Sequence, residues 1–463
     1  MFGFKPFVKP NIIVVGGSFV GTKMVDLLAP LVHETHNILL IEKNSHFQNL
    51  FAFPRLHSVS GFEHRAFIPF TNQFFQDADA EVASGSKTLP SESTKIIRGE
   101  VTSILPKKVV LKSGEEIPYE YLVLATGTGR TGTAARDKKE GISACQRHQA
   151  RVGKAKKIVV VGGGAFGVQL VSDIKSWPET KDKHVTLVHS HERLMNRFHS
   201  GLHDIVTERF KELDVNVVLG QRVVVPRKGF PNNSGREFDV ELSNGDSLKA
   251  DLVILCTGPM PLSSPLRTLS PSSINPHTKF IRVKPTLQIC SSSGVVEYPN
   301  VFAIGDVADT GAHKAAKPGY AQAEVVAKNI QKMIRSKTAR ALKEKIGLGG
   351  RLASLRASAS VETLGTVDSL DTVESTDSDA TLVNELEEDD SIDLEEYTKS
   401  VPGIHLGMGI GMGVLFYNPA PSGESDKEPS PSIKWDIPGR KPLEINCGLL
   451  WEKRAPGVQD FFQ

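Results

Sequence analysis

Apolar residues near the start of the chain fall in two short runs, with an amphipathic stretch between them. The run 12–15 (IIVV) leads directly into the glycine-rich stretch 16–21 (GGSFVG). Beyond it, apolar side chains recur at helical spacing through Met24 and Leu28, and 37–43 (NILLIEK) forms a second run. Short apolar runs are typical of buried strands, and a spacing of three to four residues is typical of a helix. The pattern predicts a βαβ unit.

A second unit of the same kind begins at Lys157. The stretch 157–174 (KIVVVGGGAFGVQLVSDI) predicts a strand, a glycine loop and a helix, and 185–188 predicts the return strand. Two further apolar runs end in a Thr-Gly pair, at 109–127 and 250–258, and 300–306 (NVFAIGD) predicts a last strand before another helix. The second unit is therefore expected to be inserted into the first.

This order predicts an α/β fold with two Rossmann-like dinucleotide-binding domains and a small C-terminal α+β domain. We expect the following parts: 1–150, the first part of an FAD-binding domain; 151–265, an NAD(P)H-binding domain; 266–346, the second part of the FAD-binding domain; 347–400, an acidic disordered insert; and 401–463, the small C-terminal domain with its tail. In the last part, 403–417 is expected to form a Gly-rich apolar hairpin.

The acidic insert separates two very different charge regimes. Residues 357–398 hold 14 Asp and Glu and no Lys or Arg, whereas the whole chain has a net charge of +2. The remainder is therefore strongly basic, which suits nucleotide phosphates, an acidic membrane face or nucleic acid. Because the stretch is rich in Ser, Thr and acid and poor in large apolar residues, we expect it to be disordered.

The glycine loops carry the candidate chemistry. A glycine loop between a strand and a helix lets backbone N–H groups approach a pyrophosphate at the helix N-terminus. The first loop has Gly16, Ser18 and Gly21, with Ser at the middle position, and Glu42 closes the following strand. A carboxylate there accepts hydrogen bonds from ribose hydroxyls. This is the arrangement expected for FAD.

The second loop keeps all three glycines, Gly162, Gly164 and Gly167, but its return strand ends without a carboxylate. His189 and Ser190 stand at that place, and Arg193 follows. A carboxylate would repel a 2′-phosphate, whereas an imidazole, a hydroxyl and a guanidinium can bind one. We expect NADPH to bind at least as well as NADH, with the alternative that these are ordinary loop residues and NADH binds.

Other features narrow the class of protein. The four cysteines form no C-x-x-C pair, which argues against a disulfide relay and a zinc site, and no metal is expected. No apolar run reaches the length of a membrane span, and the N-terminus lacks the pattern of a targeting peptide. We expect a cytoplasmic protein, or one peripheral on the mitochondrial outer membrane or on lipid droplets; the sequence leaves its oligomeric state open.

The combination of both loops with LVLATG (122–127), VFAIGDVAD (301–309), HFQNLFAFPR (46–55) and GFEHRAFIPF (61–70) resembles a known family. It is similar to the apoptosis-inducing-factor-like group (AMID, ferroptosis-suppressor-like) of FAD-dependent oxidoreductases, in the pyridine nucleotide-disulfide oxidoreductase superfamily. The resemblance covers about 1–345 and, weakly, 401–420. It implies an enzyme that relays electrons from NAD(P)H through FAD to a quinone-like acceptor at a membrane surface.

The resemblance also implies roles for single residues. Asp306 would bind the FAD ribityl chain or pyrophosphate, Arg55 would approach the flavin or its phosphates, and Val101 would contact the adenine, although it is equally a core valine. Lys314 matches a lysine used near the flavin in the redox step. Relatives commonly have Glu after the second loop, where this chain has Gln169, an amide that cannot ionise.

Together these arguments give two candidate catalytic residues, Lys314 and Gln169, and a larger set of candidate cofactor-binding residues. The latter are Gly16, Gly17, Ser18, Phe19, Gly21, Glu42, Lys43, Arg55, Val101, Thr126, Gly127, Gly162, Gly164, Gly167, His189, Ser190, Arg193, Gly258, Gly305 and Asp306.

Two other functions stay open from the sequence. One is a soluble FAD-dependent tailoring oxidoreductase of secondary metabolism, which the polar insertions and Gln169 permit. The other is an NAD(P)H-sensing effector of cell death that binds DNA or a protein. The basic charge permits the second, but no sequence motif for specific nucleic-acid binding supports it.

Overall fold

Parallel strands form the centre of both dinucleotide-binding units in the computed structural model. It describes residues 9–72, 74–75, 93–129, 135–258, 260–361, 392–420, 430–437 and 443–462, with the backbone alone for 344–361.

The strands follow in chain order. They are β1 Asn11–Val15, β2 Asn37–Glu42, β3 His46–Gln48, β4 Phe67–Pro69, β5 Thr94–Arg98, β6 Val101–Leu105, β7 Lys108–Leu111, β8 Glu116–Pro118, β9 Tyr121–Leu124, β10 Thr128–Gly129, β11 Lys157–Val161, β12 His184–Val188, β13 Val215–Val218, β14 Phe238–Glu241, β15 Ser247–Ala250, β16 Leu252–Leu255, β17 Met260–Pro261, β18 Ile281–Arg282, β19 Val301–Ala303, β20 Ala308–Asp309, β21 Gly403–Gly407, β22 Gly413–Tyr417 and β23 Ser432–Trp435.

The helices lie between them. The α-helices are α1 Phe19–Val32, α2 Phe53–Leu56, α3 Lys138–Lys154, α4 Ala165–Ser176, α5 Ser200–Glu212, α6 Ala316–Val361 and α7 Cys447–Arg454, and short 3₁₀ turns occupy Glu63–Ala66, Ser264–Thr268, Pro271–Ser273 and Gly305–Val307.

The first domain is built on a parallel sheet in the order β19-β9-β1-β2-β5. Its central strand, β1, is buried on both faces, as a continuous apolar run requires. Ile12 and Val14 pack against α1 and α6, while Ile13 and Val15 pack against β6–β8 and the 3₁₀ turns after residue 263. The predicted βαβ unit is confirmed.

The second domain has its own parallel sheet in the order β13-β12-β11-β16. Val168 and Leu202, from α4 and α5, cover one face, and Val240, from the hairpin β14–β15, covers the other. This unit is inserted between β10 and β17, which pair with each other in antiparallel fashion. The two Rossmann-like domains and their nesting are as expected from the sequence.

The region predicted as a disordered insert, 347–400, differs at both ends. Helix α6 continues to Val361, because the residues after 347 are rich in Ala and Leu, which favour helix more than the later acidic and Ser-rich stretch does. At the other end, the side-chain amide of Asn329 accepts the backbone N–H of Glu395 at 2.7 Å and donates to its carbonyl at 3.0 Å. Tyr397 packs on the core of the first domain. The intervening 362–391 lie outside the described residues.

The predicted hairpin at 403–417 is present as β21–β22. Leu406, Val414 and Phe416 are buried in the core of the second domain, whereas Trp451 of α7 is buried in the core of the first. The described residues after 400 therefore contribute apolar side chains to both cores.

Helix α7 is held to the first domain by a buried ion pair. Arg454 makes a bidentate contact with Asp26 of α1, at 3.0 and 2.7 Å, and both side chains are less than a tenth exposed. This contact connects the end of the chain to the first helix.

We predict that Arg454→Met destabilises the protein by about 3–5 kcal/mol, because it leaves the Asp26 carboxylate buried without its partner. Urea unfolding measures the change. Lys249→Met removes a pair with Asp239 in which both side chains are more than half exposed, and should cost less than about 1 kcal/mol. Equal losses in the two variants would contradict the prediction.

Candidate functional site

The first glycine loop leaves no room for a side chain. Gly16 has φ +108°, and a Cβ there would lie 2.4 Å from the Ala125 carbonyl oxygen. A Cβ on Gly21 would lie 1.7 Å from the carbonyl oxygen of Gly16. The loop and the start of α1 therefore touch through backbone alone, which is the close approach that a pyrophosphate site needs.

Glu42, at the end of β2, is buried beside this loop. Its carboxylate accepts the backbone N–H of Gly17 and, at 2.8 Å, that of Asn44. These two N–H groups fix the orientation of the carboxylate while its remaining lone pairs can accept ribose hydroxyls. A carboxylate acceptor in this position fits the ribose in the adenosine half of a dinucleotide.

The neighbouring candidates lie around the same loop. Ser18 precedes the first residue of α1, and Phe19 makes ring contacts with Phe47 (4.9 Å) and Phe51 (4.6 Å). Lys43 is half-buried, directly after Glu42. The motif HFQNLFAFPR is thus packed against the glycine loop of the first domain.

Other candidates line the same edge of the sheet. Thr126 and Gly127 follow β9, and the Thr126 hydroxyl donates to the Leu262 carbonyl at 2.8 Å. Gly305 (φ +70°) follows β19, accepts no side chain easily because Val20 is close, and is followed by Asp306. Since β19, β9 and β1 are neighbours, the structure brings these residues and the glycine loop to one carboxyl edge.

A basic cavity of about 550 Å³ opens beside the ends of β2 and β5. Its lining includes His46, Arg98, Lys138 and Lys139, with Phe462 from the C-terminal tail. Cations at this place suit the phosphates of a nucleotide bound along the same edge.

Val101 is the first residue of β6. Its side chain is buried in the core beside the sheet, which agrees with the alternative that it is a core valine. Contact between its backbone and an adenine remains a prediction.

The second loop repeats the geometry of the first. A Cβ on Gly162 (φ +122°) would lie 2.5 Å from the Cys256 carbonyl oxygen, and one on Gly167 would lie 1.9 Å from the carbonyl oxygen of Gly162. Gly164 precedes α4 with open space around it, and Gly258 is similarly open after β16. The second loop therefore also presents bare backbone to a ligand at a helix N-terminus.

His189 occupies the place of Glu42 in the second domain. Its Nδ1 accepts the backbone N–H of Gly163 at 3.1 Å, as Glu42 accepts that of Gly17. Only an unprotonated Nδ1 can accept a hydrogen bond. The pKa of His189 is lowered mainly by burial and, to a smaller extent, by the charge of the nearby His191. The ring is therefore neutral at pH 7, and its buried Nε2 has no hydrogen-bond partner among the described residues.

The residues after His189 lie at the surface. Ser190 is half-buried, and Arg193 is exposed on the turn that follows β12. This places a hydroxyl and a guanidinium beside a neutral imidazole, without a carboxylate at the strand end.

Gly163, which was not among the expected residues, could have been found from the spacing: 25 residues separate Gly17 from Glu42, and 26 separate Gly163 from His189.

Lys314 follows β20 and is partly buried. Its Nζ donates to the Ala308 carbonyl and lies 4.4 Å from the centre of the Phe280 ring. Burial lowers the pKa of Lys314, while Asp306 and Asp309 oppose that shift. The ammonium group is thus held beside the Gly305–Asp306 turn of the first domain.

Gln169 joins α4 to the C-terminal hairpin. With its amide oriented to satisfy both ends, it donates to the Ala165 carbonyl and accepts the Gly407 N–H, each at 3.2 Å. A glutamate could accept from Gly407 but could not donate to Ala165. The amide therefore has a structural use in this chain; a catalytic one remains a prediction.

Arg55 makes contacts within the protein. Its guanidinium lies 2.9 Å from the Asp173 carboxylate of α4 and donates to the carbonyls of Gly409 and Leu443. Its approach to the flavin or its phosphates remains a prediction. Asp173 was not among the expected residues, since a single acid in the helix pattern VQLVSDI gives no signal of its partner.

None of the four cysteines forms a disulfide among the residues that the structure describes. Burial raises the pKa of Cys145 and of Cys447 to about 12, so both stay protonated at neutral pH.

Within the part of the chain that the structure describes, no helix is long and apolar enough to cross a membrane.

Comparison with known proteins assigns the chain to a family. Residues 10–329 match the pyridine nucleotide-disulphide oxidoreductase family. The chain belongs to this family. Its members bind FAD and NAD(P)H, and both cradles described above fit such dinucleotides. The chain is therefore an NAD(P)H-dependent flavin oxidoreductase.

Several relatives are similar over most of their length. Fe-regulated protein 8 of Mycosarcoma maydis is 32% identical over 346 residues, which are 71% of this chain and 82% of that protein. Apoptosis-inducing factor homolog B of Dictyostelium discoideum is 26% identical over 348 residues, 71% and 83% of the two chains. Ferroptosis suppressor protein 1 of Homo sapiens is 28% identical over 344 residues, 72% and 83%. The resemblance to the apoptosis-inducing-factor-like group is confirmed.

Solved structures of the family share the fold. The sulfide:quinone oxidoreductase from the hyperthermophilic bacterium Aquifex aeolicus superposes with a TM-score of 0.61, covers 96% of this chain and 92% of its own, and is 18% identical. The water-forming NADH oxidase from Lactobacillus brevis, bound to NADH, gives a TM-score of 0.53 at 17% identity, with 88% and 75% coverage.

The glycine contacts generate a paired prediction. Gly21→Ala should lower bound flavin about tenfold or more, because its Cβ collides with the Gly16 carbonyl, and Gly167→Ala should weaken NAD(P)H binding by a similar factor while flavin is retained. Flavin absorbance and nucleotide titration measure the two effects. Gly153→Ala, in open space on α3, is the control. Flavin loss from Gly167→Ala alone would show that the two loops have been assigned the wrong way round.

Proposed function

We propose that this flavin oxidoreductase takes electrons from NAD(P)H and passes them to a quinone-type acceptor at a membrane surface. The bound FAD would supply the redox centre between donor and acceptor. The chain's own residues hold the two nucleotides on separate glycine loops, and Lys314 places a cation beside the Gly305–Asp306 turn.

The observation that carries the donor part is the contact between His189 and Gly163. A neutral imidazole replaces the carboxylate at the strand end, so the residue at that position does not repel a 2′-phosphate. The Ser190 hydroxyl and the Arg193 guanidinium can donate to phosphate oxygens. This supports NADPH as a donor at least equal to NADH.

The membrane part is supported by an apolar edge on the C-terminal sheet. Ile433, Trp435 and Ile437 alternate along β23 and its continuation, and they are 44, 46 and 57% exposed. Ile433 and Trp435 pair with Phe416 and Val414, which are buried in the second domain, so they extend that sheet's apolar face into solvent.

The chemistry of this edge suits a lipid surface. An indole is favoured at the membrane interface, and Lys434 lies between the apolar residues. The sequence just after it carries Arg440 and Lys441, which would attract anionic lipid. A quinone acceptor agrees with the fold shared with the Aquifex aeolicus sulfide:quinone oxidoreductase and with the similarity to ferroptosis suppressor protein 1. These arguments favour a protein attached to the membrane surface that reduces a quinone there over a soluble protein that reduces a soluble small molecule.

We expect stopped-flow reduction of the flavin to be at least as efficient with NADPH as with NADH. Arg193→Glu should weaken NADPH binding about tenfold or more, since it replaces a charge-assisted hydrogen bond by repulsion, and should leave NADH binding within about twofold. Arg227→Glu, an exposed arginine elsewhere on the second domain, is the control.

The outcomes separate the parts of this proposal. A preference for NADH that Arg193→Glu does not change would refute the proposal that this turn binds the 2′-phosphate of NADPH. The proposed oxidoreductase activity would be unaffected by that result. Absence of flavin reduction by either nucleotide would refute the enzyme activity and favour a nucleotide-sensing effector.

The apolar edge predicts binding to vesicles. Ile433→Ser with Trp435→Ser should lower co-sedimentation with phosphatidylcholine–phosphatidylserine vesicles about 10- to 100-fold, because each side chain buries apolar surface in lipid. Reduction of a long-chain quinone in the vesicles should fall with it, while reduction of a water-soluble quinone stays unchanged.

Val224→Ser with Val225→Ser is the matched control, since these residues are 46 and 47% exposed on the second domain. Wild-type protein that stays in the supernatant while it turns over soluble acceptors would contradict the membrane part and favour a soluble oxidoreductase.

A further inference from the structure

One stripe of helix α4 makes contacts outside its own domain. Phe166, Gln169, Asp173 and Ser176 recur at helical spacing along it. The Phe166 ring lies 5.7 Å from that of His57 in the first domain, and Gln169 bonds to the hairpin. Ser176 lies directly against the hairpin turn. This helix therefore carries much of the contact between the second domain and the rest of the molecule.

The stripe also contains a buried ion pair between Asp173 and Arg55. The atoms are 2.9 Å apart, and the two side chains are 4 and 5% exposed. Arg55 comes from α2 of the first domain, and it also donates to the carbonyls of Gly409 (3.2 Å) and Leu443 (3.3 Å). A single guanidinium thus connects the first domain, α4, the hairpin turn and the chain before α7.

Helix α4 also carries the nucleotide loop at its other end. Gly164 precedes its first residue, and Gly167 packs on Gly162 without space between them. Asp173 lies nine residues, or about 14 Å, along the same helix. A helix of this length is stiff, so a shift at Asp173 moves the loop and the nucleotide that it holds.

We propose that the Arg55–Asp173 ion pair is a positioning device that sets the nicotinamide of NAD(P)H against the flavin by fixing α4 on the first domain. This inference rests on the assignment of the second loop to NAD(P)H. With both nucleotides bound, hydride transfer would break the C–H bond at nicotinamide C4 and form an N–H bond at flavin N5, so that the nucleotide would be oxidised as the flavin is reduced. That transfer depends steeply on the distance and alignment of the two rings.

An ion pair suits this task better than an apolar contact does. A guanidinium–carboxylate contact has a defined direction and distance, whereas aliphatic side chains can slide over one another. Burial of such a pair brings little net stability over apolar packing, so its geometry is the property that is gained.

The test compares Asp173→Asn with a double variant, Arg55→Met with Asp173→Met, which leaves no lone buried charge. In both we expect flavin content and the Kd for NADPH to change less than threefold, and the limiting rate of flavin reduction to fall about 10- to 100-fold. A merely stabilising contact would lower the unfolding midpoint and leave that rate intact.

A second readout needs neither cofactor. Spin labels at Lys95→Cys and Lys211→Cys, both exposed and in different domains, report the interdomain distance in flavin-free protein with Cys256→Ser. We expect a narrow distribution with the pair intact and a broader or shifted one in both variants.

Arg454→Met is the matched control, since it breaks a buried Arg–Asp pair that does not touch α4. It should destabilise the protein and change neither the rate nor the distance distribution. The proposal is overturned if the double variant reduces its flavin at the wild-type rate, or if the distance distribution is unchanged. Loss of NADPH binding in these variants would also overturn it, because the pair would then act on binding and not on alignment. Unchanged NADPH binding in Gly167→Ala would instead refute the assignment of the second loop.

Discussion

Backbone contact at the two glycine loops is the constraint on which the rest of the structure depends. In each domain a helix begins so close to the preceding strand that a single Cβ, on Gly21 or Gly167, would overlap a carbonyl oxygen. This contact orients the helix N-terminus and its N–H groups toward the carboxyl edge of a parallel sheet. In the first domain Glu42, Thr126, Gly127, Gly305 and Asp306 follow or close strands at that same edge.

The two domains use one device with different chemistry. In each, the residue at the end of the second strand accepts a glycine N–H from the loop, through the carboxylate of Glu42 in one and the neutral imidazole of His189 in the other. The contact preserves the loop's shape while the charge of the acceptor changes. A family fold can therefore keep its architecture and alter the nucleotide that it favours.

The segment after residue 400 shows how tertiary contacts connect distant parts of the chain. The hairpin completes the core of the second domain, α7 completes that of the first, and Arg55 connects both domains to the segment between them. Two of these contacts, from Arg55 to Gly409 and to Leu443, join residues separated by more than 350 positions along the chain. Local pattern carries no information about such partners, which is why Asp173 was not expected.

The sequence by itself determined the two βαβ units, their nesting, both glycine loops and the candidate residues at the strand ends, because each depends on local periodicity and on backbone that only glycine permits. Only the tertiary structure decided that α6 continues past residue 347, that the hairpin and α7 pack in the cores of different domains, and that Arg55 pairs with Asp173. Those outcomes depend on which surfaces meet in space, and burial against a distant partner outweighs the local composition that suggested otherwise.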